Sequence, residues 1–398
     1  MAVGVLDPGR RPIWRWAILV LGIASQASTC VFLYGLPMLV PALLSEEHLS
    51  LFGASLVISA PTAGLLITLI AWGAAADRFG ERLVMASGLA LAAVFVLLAV
   101  IAHGPVLLCT VLALAGAAGA SVSPASGRVV MGWFTARERG LAMGARQTAQ
   151  PVGVAIAALT LPSLARDHGL HAALLFPAGL CAVVAVLVVL LVSDPPRPVA
   201  RPTERPAGSP YRASGLWRIH AASALLVVPQ FAVSAFMLVY LVGQRHWDAA
   251  AAGRVIFWFQ LAGALGRIGT GVWSDAVRSR LAPMRQLAVT STLLMVLLAV
   301  GAWADAWWVV VGFALGAVVT VADNGLAFTA VAEYAGSAWA GRALGVQNTG
   351  QNVAALLTAP ILAGVIGDAR YALGFAVVAV FPLLAIPITP VRIERPPA

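Results

Sequence analysis

The chain has 398 residues, of which 61% are hydrophobic and only 10% are charged, and its mean hydropathy is +0.92. Soluble domains carry about 25% charged residues, so this composition excludes a soluble protein and predicts an integral membrane protein. The formal net charge of +9 comes from 25 arginines without a single lysine. Because most of these arginines fall between apolar segments, we attribute them to membrane topology and expect no nucleic-acid partner.

Twelve apolar segments follow one another along the chain, each long enough for a spanning helix of about 20 residues. Strands of a membrane barrel would instead alternate over segments of about ten residues. The first segment is too long for the apolar core of a cleaved signal peptide, so we expect it to remain as the first span. The predicted spans are 16–43, 51–76, 83–102, 105–129, 140–164, 172–192, 219–242, 252–274, 287–304, 307–331, 343–366 and 371–391.

A polar segment divides the chain between the sixth and seventh spans. Residues 193–215 contain six prolines together with several arginines, a composition that favours an extended linker. We therefore expect an N-terminal six-helix bundle at 1–192, a cytoplasmic linker at 193–215 and a C-terminal six-helix bundle at 216–398.

Two matches at nearly the same offset indicate that the second half repeats the first. A charged run between the second and third spans recurs 198 residues later, between the eighth and ninth spans. A polar stretch of the fifth span recurs 201 residues later in the eleventh span. Two such bundles related by a pseudo-two-fold axis are typical of secondary transporters. The matched residues are Gly73, Asp77, Arg78, Gly80 and Arg82 with Gly271, Asp275, Arg278 and Arg280, and Gly144, Gln147 and Gln150 with Gly345, Asn348 and Gln351.

The distribution of arginine predicts the orientation. With an even number of spans both termini lie on one side, and that side holds eighteen loop arginines against four on the other. The positive-inside rule then places both termini in the cytoplasm. We expect a multi-pass protein of the inner (cytoplasmic) membrane.

Polar side chains are concentrated in four spans. The third, sixth, ninth and twelfth spans carry almost none and can face lipid, whereas the fifth, eighth, tenth and eleventh carry amides and charges that are costly in hydrocarbon. Spacings of three and four residues place these groups on one face of each helix, toward an interior cavity. They are Arg146, Gln147, Gln150, Gln260, Arg267, Asp323, Asn324, Gln347, Asn348, Gln351 and Asn352.

The charged runs resemble the loop motif of the major facilitator superfamily, and the resemblance covers essentially the whole chain. The motif is carried by Gly73-x-x-x-Asp77-Arg78-x-Gly80-x-Arg82 and, more weakly, by its copy after Gly271; Glu81 stands where the family usually shows a basic residue. The resemblance implies a twelve-helix fold, transport by alternating access and a gating or structural role for Gly73, Asp77, Arg78, Gly80, Arg82, Gly271, Asp275 and Arg278.

Elementary chemistry gives these positions specific tasks. Gly73 allows close approach of helices, Gly80 permits a sharp turn, and Asp77 can pair with arginines or face a helix N-terminus. A capped turn that merely fixes topology is the alternative interpretation.

Arg267, within the eighth span, is the first candidate for substrate binding. Its position resembles the arginine with which the oxalate and monocarboxylate exchangers of the superfamily hold a carboxylate, which a guanidinium binds bidentately. The alternative is structural pairing with Asp323. Those exchangers also carry a lysine in the eleventh helix, where this chain has Gln347 and Asn348.

Asp323 is the candidate for proton coupling, with a fixed pairing to Arg267 as the alternative. Arg146 is a second candidate cation, which either lines the cavity or extends to the membrane surface. Glu333 is predicted to be an interfacial charge. Further candidate contacts to substrate, which could equally satisfy neighbouring helices, are Gln26, Tyr34, Gln150, Gln230, Gln260, Gln347 and Gln351.

The sequence favours a secondary transporter of a small organic anion, either proton-coupled or working by exchange. Drug or cation efflux by proton antiport is the alternative, although the fifth span has only the fragment Gln150-Pro151-Val152-Gly153 of the antiporter motif. A membrane enzyme or receptor is disfavoured because no catalytic cluster or sensing domain is evident. We expect no enzymatic activity, no cofactor and no metal, and a monomer whose partners are substrate, protons and the lipid bilayer.

Overall fold

The chain is described by a computed structural model over residues 11–195, 209–367 and 370–394. Its elements in these ranges are helical, because a segment inside a bilayer must satisfy its backbone N–H and C=O groups internally. The helices are α1 Arg11–Gly35, α2 Val40–Ser45, α3 Leu51–Phe79, α4 Glu81–Ala99, α5 Pro105–Gly119, α6 Val122–Trp133, α7 Arg139–Arg146, α8 Ala149–His168, α9 Leu170–Leu191, α10 Ser214–Gly243, α11 Ala249–Val277, α12 Leu281–Trp303, α13 Val309–Val319, α14 Asn324–Ala335, α15 Ala340–Ile366 and α16 Tyr371–Ile388.

These helices form twelve segments that are long and apolar enough to cross a membrane, which confirms the predicted number of spans within the described residues. Four spans are interrupted: α1 and α2 share the first, α5 and α6 the fourth, α7 and α8 the fifth, and α13 and α14 the tenth. Seven of the remaining spans are single helices, and the twelfth joins α16 to a short 3-10 helix at Val391–Ile393. The architecture is the all-α, twelve-span fold that the sequence predicts.

The span boundaries agree with the prediction to within a few residues, but the charged turns are shorter than expected. Asp77 lies inside the last turns of α3, and Asp275 lies inside α11. Gly80, with φ of 99°, is the single residue between α3 and α4. The largest shift is at α12, which begins at Leu281 rather than near 287, because the proline two residues later is tolerated in a first helical turn.

The described residues divide into two compact units. Unit 1 contains 11–135, 148–195 and 337–345, and unit 2 contains 136–147, 209–336, 346–367 and 370–394. The first turns of α15 therefore belong to unit 1, although they come late in the sequence, and α7 belongs to unit 2. Residues 196–208 of the predicted linker lie outside the described residues.

Each unit has its own apolar core. In unit 1, α3 packs against α5, α4 against α9, and α1 against α8 and α9. In unit 2, α12 and α10 pack against α16, and α11 packs against α7 and α13. In that core Phe375 packs edge-on against Tyr240 and Phe313, whose own rings are tilted by 58° to each other; the three centroids are 5.5 to 6.4 Å apart. The outer faces of α9 and α12 expose side chains such as Leu190 and Leu293, as expected for contact with lipid.

Two adjacent acidic residues, Glu46 and Glu47, connect the turns at one end of unit 1 through hydrogen bonds. Both carboxylate oxygens of Glu46 accept the backbone N–H of Leu170 at the start of α9, at 3.0 and 2.9 Å. Glu47 accepts the N–H of Gly104, which precedes α5, at 2.9 Å. That bond is the main reason why the pKa of Glu47 is lowered to about 2. Hydrogen bonds with His171 and His103 lower this pKa further, whereas partial burial acts in the opposite direction. Glu47 is therefore ionised at neutral pH.

Replacing Glu46 by alanine should destabilise the protein by about 1 kcal/mol, which is the usual cost of losing a side-chain cap at a helix start. Thermal unfolding of the purified protein in detergent should show a midpoint about 1 °C lower than wild type. Asp167→Asn is the matched control, because Asp167 forms an exposed pair with Arg166 and should leave the midpoint unchanged. Equal midpoints for Glu46→Ala and the control would contradict the assigned cap.

Candidate functional site

In unit 1, a buried carboxylate lies at the N-terminus of a helix. Asp77, near the end of α3, accepts the backbone N–H groups of Gly341 at 2.7 Å and Arg342 at 3.0 Å, in the first turn of α15. The first N–H groups of a helix have no partner within the helix, and the helix dipole favours negative charge at that end. Asp77 therefore caps α15 from outside that helix.

Arg128 of α6 completes this contact. Its Nη1 atom donates to Asp77 Oδ1 at 2.6 Å and to the carbonyl oxygen of Ser337 at 2.7 Å, and its Nε atom donates to Glu81 Oε1 at 2.7 Å. The three charged side chains are almost completely buried. One guanidinium thus compensates two carboxylates, including the one at the position where the family usually shows a basic residue.

Sequence reasoning missed Arg128. The available signal was its position: a single charge inside an otherwise apolar span requires a buried partner.

The same contact occurs in unit 2. Asp275 of α11 accepts the N–H groups of Gly140 at 3.0 Å and Leu141 at 2.8 Å, in the first turn of α7. Arg280, which is 2% exposed, donates to Asp275 through Nη1. The two aspartates are 198 residues apart, and the two pairs of amides, 140–141 and 341–342, are 201 residues apart. The duplicated motif therefore makes a duplicated contact.

Pairs of glycines bring each aspartate within reach of its amides. A Cβ atom on Gly73 would lie 2.2 Å from the carbonyl oxygen of Gly341, and one on Gly271 would lie 2.2 Å from that of Gly140. These separations are far below van der Waals contact, so any larger residue would force the helices apart. Close helix approach is thus a requirement of the contact in both units.

The other charged residues of the motif make further contacts among the described residues. Arg82 donates to the carbonyl oxygen of Val189 and through its backbone N–H to Asp194, and Arg78 lies over the ring of Phe79. Arg278 ends α11 in the left-handed conformation, with φ of 52°.

Glu333 was predicted to be an interfacial charge, and it pairs with two arginines of unit 2. Its carboxylate lies 3.4 Å from Arg280 and 3.6 Å from Arg139.

Arg267 lies deeper in unit 2, about 12 Å along α11 from Asp275 at 1.5 Å per residue. It is 7% exposed, and its Nη1 atom donates to the carbonyl oxygen of Gln147 at 2.6 Å. Its Nε atom is buried and has no hydrogen-bond partner among the described residues. The guanidinium therefore has donor capacity that its protein contacts do not use.

Asp323 lies close enough to Arg267 for their charges to interact, but the two side chains form no direct ion pair within the described part of the chain. It is 2% exposed, and its Oδ2 atom is buried without a hydrogen-bond partner among the described residues. It occupies the interruption between α13 and α14. Because the helix is interrupted there, Asp323 lies near Arg267, whereas the adjacent Asn324 belongs to a second polar cluster.

The second cluster is a chain of amides that joins α10, α14 and α15. Asn324 donates to Gln230 at 2.9 Å, and Gln351 donates to Asn324 at 3.1 Å and to Ser223 at 2.8 Å. Gln347 donates to the same serine hydroxyl at 2.5 Å. The structure thus brings three predicted contact residues, Gln230, Gln347 and Gln351, into one network.

The remaining candidates are distributed over both units. Arg146 is buried in unit 2, with its guanidinium 5.5 Å from the ring centroid of Phe328 and 2.7 Å from Gln147 Oε1. Gln260 lies seven residues before Arg267 on α11 and is half-buried. Gln26, Tyr34 and Gln150 belong to unit 1, where each is half-buried.

A family model for the major facilitator superfamily matches residues 21–359. The chain belongs to the major facilitator superfamily. It is 44% identical over 384 residues to the "uncharacterized MFS-type transporter Rv2994" of Mycobacterium tuberculosis (strain ATCC 25618 / H37Rv), an alignment that covers 96% of this chain and 86% of that protein. These matches identify the chain as a transporter of this superfamily.

Solved structures show the same fold. The major facilitator transporter FucP, crystallised in the outward conformation, superposes with a TM-score of 0.70 at 15% identity and covers 94% of this chain and 99% of its own. The human organic anion transporter MFSD10 gives a TM-score of 0.67 at 16% identity, with coverage of 96% and 100%. At this level of identity the likeness extends to the fold alone.

The charge balance around Arg128 generates a double-mutant prediction for this major facilitator protein. Arg128→Gln should destabilise the protein by about 3 kcal/mol, because it leaves two buried carboxylates without their cation. Adding Glu81→Gln removes one of those charges and should recover about 1 to 2 kcal/mol. Denaturant titration of the single and double variants in detergent measures both values.

Arg166→Gln is the control for that cycle, since Arg166 is exposed and should cost almost nothing. Additive destabilisation in the Arg128→Gln/Glu81→Gln double variant would refute a shared buried network.

Proposed function

We propose that this transporter moves a small organic anion of the carboxylate type by alternating access. The supporting observation is the unused donor capacity of Arg267: a buried guanidinium with an unpartnered Nε atom, beside a carboxylate that it does not pair with directly. A carboxylate binds a guanidinium through two parallel hydrogen bonds, and an incoming anion would supply the partner that the protein leaves out.

The geometry favours substrate contact over the alternative of a fixed Arg267–Asp323 pair. A structural ion pair inside a membrane protein is expected to have direct hydrogen bonds between its two charged groups, because separated buried charges are costly. Here one nitrogen of Arg267 and one oxygen of Asp323 remain unsatisfied among the described residues. These two atoms are therefore available to bind a ligand, and they belong to charges that form no direct pair with each other.

Asp323 is our candidate for proton coupling. The guanidinium beside it favours the ionised carboxylate while the site is empty, and a bound anion that neutralises this guanidinium favours proton uptake by the carboxylate. If Asp323 has no such role, the same site would catalyse exchange of one anion for another. The two modes are distinguished by their response to a pH gradient.

The two aspartate contacts supply the proposed gate. Asp77 and Asp275 each bond the first amides of a helix that belongs to the opposite half of the sequence. We propose that the halves 1–192 and 216–398, joined by the linker 193–215, rock against each other and that both contacts break together in each cycle. The protein would act as a monomer in the inner membrane with both termini in the cytoplasm.

Cation or drug efflux is a weaker candidate. It would use Asp323 as the substrate-binding charge, but the charge of Arg267 acts on the same carboxylate and opposes binding of a second cation.

Arg267→Gln should lower uptake of labelled carboxylates by about 100-fold at subsaturating concentration, because a buried charge contact is lost. Arg267→Lys should retain part of the uptake with a raised KM, since lysine keeps the charge but lacks the bidentate geometry. The measurement is uptake into proteoliposomes of a panel of monocarboxylates, dicarboxylates and lipophilic cations. Arg166→Gln is the control and should transport normally.

The anion proposal fails if Arg267→Gln transports carboxylates as well as wild type does, or if only cations enter the wild-type vesicles.

Asp323→Asn should abolish accumulation driven by a pH gradient and leave anion exchange at a similar rate, because asparagine cannot carry a proton. Both modes are measured on the same vesicles, with and without a gradient and with unlabelled anion inside or absent. Persistent gradient-driven accumulation in Asp323→Asn would remove this residue from the coupling mechanism.

A further inference from the structure

Three side chains with metal-ligating atoms converge at the end of unit 1 where Glu46 and Glu47 tie the turns together. Glu47 Oε1 lies 2.8 Å from His171 Nε2 and 3.2 Å from His103 Nδ1. The three atoms all lie within 4.8 Å of one another. The residues come from three separate places in the chain: the turn after α2, the turn before α5 and the first turn of α9.

Backbone contacts hold these residues in place. Glu47 uses Oε2 to accept the N–H of Gly104, which leaves Oε1 directed at both imidazole rings. Glu46 caps α9 at Leu170, the residue before His171. These bonds fix the Glu47 carboxylate and the backbone beside His171. The second ring nitrogen of His171, Nδ1, is buried without a hydrogen-bond partner among the described residues, so outer-shell support reaches the carboxylate and not this imidazole.

We propose that Glu47, His103 and His171 form a zinc-binding site. Two imidazole nitrogens and one carboxylate oxygen are a donor set that Zn²⁺ prefers, with water in the fourth position. Ligand atoms at about 2.0 to 2.1 Å from a tetrahedral ion are about 3.3 Å apart. The two carboxylate–imidazole distances, 2.8 and 3.2 Å, require only small movements, whereas the ligand atoms as a group are spread over up to 4.8 Å, so the exposed His103 ring must move closer to His171. Calcium and magnesium are disfavoured because they require more oxygen ligands than this set offers.

At this location an ion can reach the site from solvent, and its binding would stabilise unit 1. The His103 side chain is 74% exposed, so an ion reaches the cluster without unfolding, whereas those of Glu47 and His171 are 8% and 22% exposed. By the distribution of arginine, this end of unit 1 faces outside the cytoplasm. A bound ion would cross-link three turns of unit 1 and stabilise that end of the unit. The site is separate from Arg267 and Asp323, so it does not depend on the proposed substrate.

The test uses the full-length protein, purified in detergent and freed of metal. Zn²⁺ titrated by calorimetry should bind at about one ion per chain, and Co²⁺ should give the intense visible absorption of a tetrahedral site. Zn²⁺ should also raise the thermal midpoint of the wild type. His103→Ala and His171→Ala should each weaken binding by at least about 100-fold and abolish the cobalt spectrum and the thermal shift.

His168→Ala is the matched control, because His168 is an exposed histidine at the end of α8 that lies outside the cluster and should bind zinc as wild type does. His103→Ala is the informative variant, because a side chain this exposed contributes little to the fold and its loss should leave the midpoint of the metal-free protein unchanged. The proposal is overturned if wild-type protein does not bind Zn²⁺, or if His103→Ala binds it as tightly as His168→Ala. Either outcome would reduce the cluster to a carboxylate hydrogen-bonded to two histidines.

Discussion

A buried carboxylate at the N-terminus of a helix, made once in each unit, is the interaction on which the rest of this structure depends. Asp77 and Asp275 are costly to bury, and each is compensated by two backbone N–H groups and an arginine. Neither helix start, at α15 or α7, provides a partner for these amides from within its own helix. The aspartate accepts hydrogen bonds from N–H groups that have no partner within their own helix, and those N–H groups in turn compensate the buried charge of the aspartate.

This requirement accounts for several other features of the chain. The glycine pairs allow the helix backbones to approach closely enough for an aspartate to reach the amides. Residues 337–345 and 136–147 contain the two capped helix starts. Each of these segments belongs to the unit that contains its capping aspartate. The two copies differ in their supporting charges: Arg128 also holds Glu81 in unit 1, whereas Arg280 also approaches Glu333 in unit 2. The proposed gate would have two states, because the contact would be lost completely once the helices separated.

The sequence predicted the spans well because their length and apolar composition are set locally by the bilayer. It also predicted that Asp77 could face a helix N-terminus, but not which helix, since the amides at 341 and 342 are more than 260 residues away. Arg128 was missed because it belongs to no repeated motif. The cluster of Glu47 and two histidines was missed for a related reason: its members lie in three turns with no characteristic spacing. Only packing brings such residues together.

Hydrogen exchange at the two capped helix starts tests the central claim that the two aspartate contacts form and break together. In wild type, peptides covering 337–345 and 136–147 should both be protected, since their first amides bond Asp77 and Asp275. Asp77→Asn alone should increase exchange in both segments, and Asp275→Asn alone should do the same. Increased exchange confined to the segment that the altered aspartate caps would contradict a coupled gate.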